Sequence, residues 1–374
     1  MTATELLQLV GQDAALVEYF LVESGLAVFV VQDGKIEAQL LPLERDKLFS
    51  LLKRFRERIE RATGLADMAV QITGSTAPIS EELVLARELY RALFASIAAK
   101  IGKGRLYIVP HGPLHYIPFQ ALHDGEHFLL ERFAISYLPS ATVLKFLKEK
   151  KGHPPAGTGP LVLANPDLGD SQYDLPSADR EATLIRDFYP AAQVYARNEA
   201  TKRRAKEFGG QFGLLHFATH GTFTVESPLD SALILAKGDE ENGRLTAREI
   251  FAMRLNASLV VLSACNTGLT KVSTGDEMVG LSRAFLYAGS PNLVASLWEV
   301  ADESTALLMG AFYKNLKMLP KAEALRQAQL TLMRTEIPLS GVRGLRVNPT
   351  QAGQTIRASH PYFWAPFILI GAGE

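Results

Sequence analysis

Only one cysteine, Cys265, occurs in 374 residues. That excludes a disulfide within the chain and any metal site built on clustered thiolates. An excess of charge is also missing, since 39 basic and 40 acidic residues leave a net charge of −1. Direct binding of nucleic acid asks for a basic surplus or patch. The single basic cluster, Lys202-Arg203-Arg204 with Lys206, reads as the solvated face of a helix. No apolar run approaches the ~20 residues of a membrane span. The opening Met-Thr-Ala-Thr-Glu lacks the positive region and apolar core of a secretory signal. Neither Walker nor GxGxxG spacing follows a strand, which speaks against nucleotide binding. The expectation is a cytoplasmic protein with no cofactor and no metal, its thiol reduced.

What is present is the pattern of an α/β protein. Hydrophobic residues make up 47% of the chain and charged residues 21%, and 374 residues exceed the usual size of one core. In the first half, Val17–Val22, Ala27–Gln32 and Ile36–Leu41 read as consecutive antiparallel strands, followed by helices over 44–63 and 79–100. Strands at Leu106–Val109 and 128–137 and a helix from Ser140 complete this half. Lys151-Gly-His-Pro-Pro-Ala-Gly-Thr-Gly-Pro160 is a Pro/Gly linker, which divides the chain into 1–150 and 151–374. Beyond it six strands (Leu161–Asn165, Gln193–Ala196, Leu214–Thr219, Leu259–Ser263, Asn292–Leu297, Phe367–Ile370) alternate with helices. That rhythm predicts a mostly parallel sheet with helices on both faces. Residues 336–365 carry no periodicity and read as a long loop flanking a site, either a lid or a surface excursion.

Two of these strands end in reactive side chains. Leu214-Leu-His-Phe-Ala-Thr runs into His220-Gly221, and Leu259-Val-Val-Leu-Ser-Ala runs into Cys265, with Gly268 close behind. Ligand sites of parallel sheets form beyond such carboxyl ends. A thiolate is a strong nucleophile, and an adjacent imidazole lowers the thiol pKa and later protonates a leaving amine. The pair His220/Cys265 therefore reads as a cysteine protease dyad. Gly221 lets the following backbone N–H turn inward, and that N–H with the one of Cys265 forms the expected oxyanion hole. His216 shares a strand face with His220 by spacing, but no Glu follows it in a zinc-protease pattern, so it reads as packing. His111, His115, His123 and His127 have no acidic or thiol partner at a telling spacing, and the first half reads as structural.

The ordered motifs His216-Phe-Ala-Thr-His-Gly221, Ser227-Pro-Leu-Asp-Ser-Ala-Leu233, Leu245-Thr-Ala-Arg-Glu-Ile250 and Leu262-Ser-Ala-Cys-Asn-Thr-Gly268 resemble the CHAT domain. So do Gly275-Asp-Glu277, Gly280-Leu-Ser-Arg-Ala-Phe-Leu-Tyr-Ala-Gly289 and Ala295-Ser-Leu-Trp-Glu-Val-Ala-Asp302. The CHAT domain is a caspase-like module of peptidase clan CD, related to separase and often joined to tetratricopeptide repeats. The resemblance implies a caspase-like three-layer α/β sandwich with a six-stranded sheet, preceded by a non-catalytic caspase-like half. It places the family's catalytic His and Cys on His220 and Cys265. Their 45-residue separation is near the ~50 of caspases. It also implies that repeats join before residue 12, as a regulatory partner or domain.

By the same resemblance, the segment after the strand ending Ser296-Leu297 lines the pocket for the residue before the cleaved bond. Trp298, Glu299 and Asp302 are candidates, with Asp276 a further one, and their acids would receive Arg or Lys. An acid at the start of a helix is also a favoured cap, which is the other reading of Asp302. Ser263 stands where several arginine-specific relatives carry Asp, so an apolar preference stays open. The expected function is an endopeptidase acting on specific protein substrates and gated by a partner. The alternative is a caspase-like scaffold without turnover.

Overall fold

A computed structural model of the chain describes residues 1–60, 80–102, 104–150, 159–224, 227–238, 242–263, 265–266, 276–298, 302–338 and 354–374. For 60, 265–266, 276–279 and 302 the description covers the backbone only. In the first half lie strands β1 (Ala14–Val22), β2 (Gly25–Gln32), β3 (Lys35–Leu41), β4 (Gly104–Val109) and β5 (Phe133–Tyr137). With them are helices α1 (Ala3–Val10), α2 (Arg45–Glu60) and α3 (Glu81–Leu93). The predicted strand over 128–137 is shorter than its apolar run. Phe128 N–H donates to Glu131 Oε2 at 2.8 Å and closes a helical turn ahead of β5.

The second half contains β6 (Leu161–Pro166), β7 (Gln193–Arg197), β8 (Leu214–Ala218), β9 (His220–Thr222), β10 (Ala232–Ile234) and β11 (Arg244–Thr246). After them come β12 (Leu259–Leu262), β13 (Cys265–Asn266), β14 (Asn292–Ser296), β15 (Glu336–Pro338), β16 (Thr355–Arg357) and β17 (Phe367–Gly371). Its main helices are α4 (Pro176–Phe188), α5 (Asp276–Ala288), α6 (Asp302–Leu316), α7 (Lys321–Met333) and α8 (Pro361–Trp364). Helix α4 begins with Pro176, whose fixed φ and missing N–H suit a first helical position.

The six predicted strands form the run β17-β14-β12-β8-β6-β7. That run continues without a break through β5-β4-β1-β2-β3, giving one eleven-stranded sheet for both halves. The junction is β17, antiparallel to β14 and parallel to β5 through Ile370↔Tyr137. Central strands such as β12, β14 and β17 are buried at every position, as expected of strands covered on both faces. The linker expected at 151–160 lies, over 151–158, outside the described residues. Of 336–365, read as a loop, the described parts hold the β15–β16 ribbon and α8, and 339–353 lie outside the described residues. Among the described residues, no helix is long and apolar enough to cross a membrane.

A second, four-stranded sheet in the order β11-β10-β9-β13 stands at the carboxyl end of β8 and β12. The motif glycine Gly280 in α5 explains part of how it is held. A Cβ there would lie 2.9 Å from Pro228 Cβ, so only glycine lets α5 approach the turn Pro228–Asp230 leading into β10.

The basic cluster is only in part a solvated face, since Arg203 and Lys206 are exposed. Lys202 is buried, and its Nζ and that of Lys206 each lie 2.8 Å from Glu249 Oε1. Arg204 lies over the Tyr195 ring, 4.0 Å from its centroid. Two lysines one turn apart on a short helix converge on a single carboxylate, which composition alone does not reveal.

The two halves are also tied at their helices. His360, the cap of α8, accepts from Tyr362 N–H at Nδ1, and its Nε2 is 3.2 Å from Glu82 Oε1 in α3. Burial pushes the Glu82 carboxyl up, but hydrogen bonds from His360 and Ser80 and the His360 charge outweigh it and hold the pKa at about 2. A depressed carboxyl stabilises the fold above its ordinary value of 4.5 and loses that contribution as pH falls toward 2. Urea unfolding followed across this window should therefore show a shallower acid loss in Glu82→Gln than in wild type. Equal slopes would mean that the pair adds nothing.

Candidate active site

His220 opens β9 and Cys265 opens β13, and the two are register partners in a parallel pair, with Gly221 opposite Asn266. Neighbouring strands run about 4.8 Å apart, so the two backbones meet at this level. The small sheet achieves this: β8 stops at Ala218, Thr219 turns the chain, and β9 leaves the main sheet beside β10.

The His220 ring is buried, and its Nε2 lies 2.8 Å from the Tyr173 carbonyl oxygen. A carbonyl only accepts, so Nε2 carries the hydrogen and, in the neutral ring, Nδ1 keeps the free lone pair. The Tyr173 side chain is 48% exposed and stands edge-on to the imidazole, with centroids 6.0 Å apart. The turn Ser171–Tyr173 is fixed by a polar cluster at the carboxyl end of β6. There Asn165, buried with φ 43°, accepts from Leu175 N–H at 2.7 Å and donates to Asp179 at 2.8 Å. Asparagine tolerates that left-handed conformation better than most residues. Arg197 Nη1 bridges Asn165 Oδ1 at 3.1 Å and Asp174 Oδ1 at 2.7 Å.

Sequence reasoning missed the Tyr173 carbonyl, because a backbone acceptor leaves no signature in residue type. Asn165-Pro166-Asp167 after a buried strand was the available hint.

Gly221 sits between Leu233 of β10 and Asn266 of β13. Its φ is not in the left-handed range, so the reason for glycine is space. A Cβ would come 3.1 Å from the Phe223 ring.

His216 and His220 do not share surroundings, contrary to their spacing. His216 is fully buried, with Nδ1 2.9 Å from the Tyr313 hydroxyl of α6. Burial and the Glu181 charge push the Tyr313 hydroxyl well up, so it stays protonated. His216 Nε2 stands 3.2 Å from Glu181 Oε2 but out of line for a hydrogen bond. Glu181, buried in α4, accepts from Ser263 Oγ at 3.0 Å through its other oxygen. The position two residues before Cys265 thus meets a carboxylate after all, one supplied by α4.

Of the pocket candidates, Trp298 is buried and its Nε1 donates to the Tyr362 carbonyl at 3.2 Å. Glu299 lies outside the described residues. Asp302 and Asp276 are the first residues of α6 and α5, and their side chains lie outside the description. In the first half, His111 accepts from Leu21 N–H of β1 and His123 from Gly125 N–H two residues on.

A family model described as CHAT domain matches residues 83–372. Tetratricopeptide repeat protein 28 of Mus musculus is 26% identical over 346 residues, covering 76% of this chain and 13% of that protein. Its Homo sapiens counterpart is 27% identical over 348 residues, with the same shares. The chain thus spans about an eighth of the length of these curated relatives. Among solved structures, the Saccharomyces cerevisiae separase–securin complex matches with a TM-score of 0.55 at 11% identity, covering 99% of this chain and 31% of that chain. At that identity the likeness concerns the fold.

Proposed function

Because this chain belongs to the CHAT domain family and has a caspase-like α/β fold, we propose that it is a cysteine endopeptidase with His220 and Cys265 as its dyad. The observation that carries the reading is the register pairing of the two residues beside a His220 Nε2 already committed to the Tyr173 carbonyl.

In the proposed reaction, His220 Nδ1 accepts the thiol proton, and the sulfur attacks the peptide carbonyl carbon. The tetrahedral oxyanion is held by the N–H groups of Gly221 and Cys265, each worth roughly 3–4 kcal/mol where such donors have been removed. Collapse expels the amine, which takes the proton from Nδ1. Water, deprotonated by the same nitrogen, then releases the acyl group. The Tyr173 carbonyl orients the ring and stabilises the imidazolium through Nε2–H, as a carboxylate does in a triad.

On this reading 1–150 is the non-catalytic half and 151–374 the catalytic one. Substrates are proteins, and Trp298, Glu299, Asp302 and Asp276 serve the pocket for the residue before the cut, basic or apolar. A repeat domain or partner gates the site, which the names of the curated relatives and the presence of securin with separase both support.

A second reading, a scaffold without turnover, draws on the burial of His220. An electrophilic peptide ketone separates the two. The peptidase reading expects Cys265 in wild type to be labelled at least ~10²-fold faster than in His220→Ala, the usual scale of acid–base assistance. Equal rates would favour the scaffold.

A further inference from the structure

The segment that follows β14 is held from three directions. Leu297 N–H donates to the Pro366 carbonyl at 2.8 Å, and Trp298 Nε1 donates to the Tyr362 carbonyl. Both of these partners belong to the catalytic half. The third tie crosses the molecule: Arg56 Nη2, on α2 of the first half, donates to the Leu297 carbonyl at 3.0 Å.

Arg56 is a built contact. Its side chain is buried, and its guanidinium lies over the buried Tyr116 ring, 5.0 Å from the centroid. A guanidinium brought out of water is retained only where its donors and face are matched, and a charge-assisted bond to a carbonyl is among the stronger contacts available. α2 also packs against α8, whose His360 is held by Glu82 of α3. The first half therefore reaches the same segment twice, once directly and once through the helix whose Tyr362 carbonyl takes the Trp298 indole. Arg56 lies outside the 83–372 stretch that the family model matches.

We propose that Arg56 is a positioning residue for the substrate pocket, so that the non-catalytic half sets how well substrate binds by fixing the backbone of Leu297–Trp298. The proposal rests on the peptidase reading for its kinetic part only. It makes α2 the route by which an event on the first half alters affinity while leaving the nucleophile untouched.

The test uses the full chain as wild type, Arg56→Met, Arg56→Gln and Arg56→Lys. It measures amide hydrogen exchange over 292–298, KM and kcat for peptides cut by wild type, and the rate of Cys265 alkylation by iodoacetamide. Loss of the charged donor to the Leu297 carbonyl predicts exchange and KM each raised roughly tenfold in Arg56→Met, with kcat and alkylation within about twofold. Arg56→Gln, which stays polar should the methionine variant fail to fold, should move the same two readings by a few-fold. Arg56→Lys, keeping a cationic donor, should recover part of the loss. Unchanged exchange and KM in whichever of the methionine and glutamine variants folds would overturn the proposal. So would a fall in kcat and alkylation accompanying the rise in KM, since Arg56 would then be supporting the fold at large. If wild type shows no Cys265-dependent cleavage, the peptidase reading and the KM effect both fall, while the exchange result still decides whether Arg56 holds the segment.

Discussion

Replacing Cys265 by alanine should lower cleavage of target proteins by roughly 10⁴-fold or more, the scale seen when a protease loses its nucleophile. The fold should survive, because the change removes one sulfur atom and adds no group. An apolar truncation this small costs about 1 kcal/mol or less. The measurement is a proteome-wide cleavage profile of wild type against Cys265→Ala, together with the melting temperature of both proteins. New termini made equally by both would end the peptidase assignment, whatever the likeness of the fold. A variant that melts far below wild type would instead make Cys265 a packing residue. No second cysteine exists to substitute for it, so the result is not blurred by a neighbouring thiol.

The largest effect on stability is expected at Glu181. Its carboxylate is buried, receives Ser263 Oγ at 3.0 Å and stands 3.2 Å from His216, which in turn meets Tyr313. Alanine there would strand the Ser263 hydroxyl and leave His216 facing a cavity. Stranding a buried donor and opening a cavity together cost about 3 kcal/mol, which in a chain of this size corresponds to a melting temperature lower by roughly 4 °C. Glu181→Gln keeps an acceptor for Ser263 and should lose about 1 kcal/mol. Calorimetry of the two variants distinguishes the cases, and an alanine variant as stable as wild type would mean that the cluster contributes nothing net. Because Ser263 lies two residues before Cys265, the alanine variant should also react more slowly with a thiol reagent than the glutamine one.

Arg56 and Glu181 show where a sequence stops being informative. Arg56 stands in Lys53-Arg-Phe-Arg-Glu-Arg58, where each cation reads as solvent-facing, and Glu181 stands on an amphipathic helix among acids and bases. Each is buried because of what a distant segment places against it: the Leu297 carbonyl, 241 positions away, for one and Ser263 for the other. Lys202 was misjudged for the same reason, with Glu249 as the missing partner. Strand runs, by contrast, were legible because burial on both faces forces an apolar stretch whatever lies beside it. The short β9 and β13 escaped notice, since strands of two or three residues carry no period.

Residue order alone makes the protein α/β, sets which segments become its long strands and helices, and puts one thiol and one histidine after two buried strands. These are local consequences of side-chain polarity and its spacing. Tertiary structure alone decided that β17 meets β5 and joins both halves in one sheet, that His220 and Cys265 share a register, and that Tyr173 offers its carbonyl to the imidazole. Such pairings depend on backbone groups, which every residue carries alike, and on chain closures over tens to hundreds of positions, which no local pattern encodes.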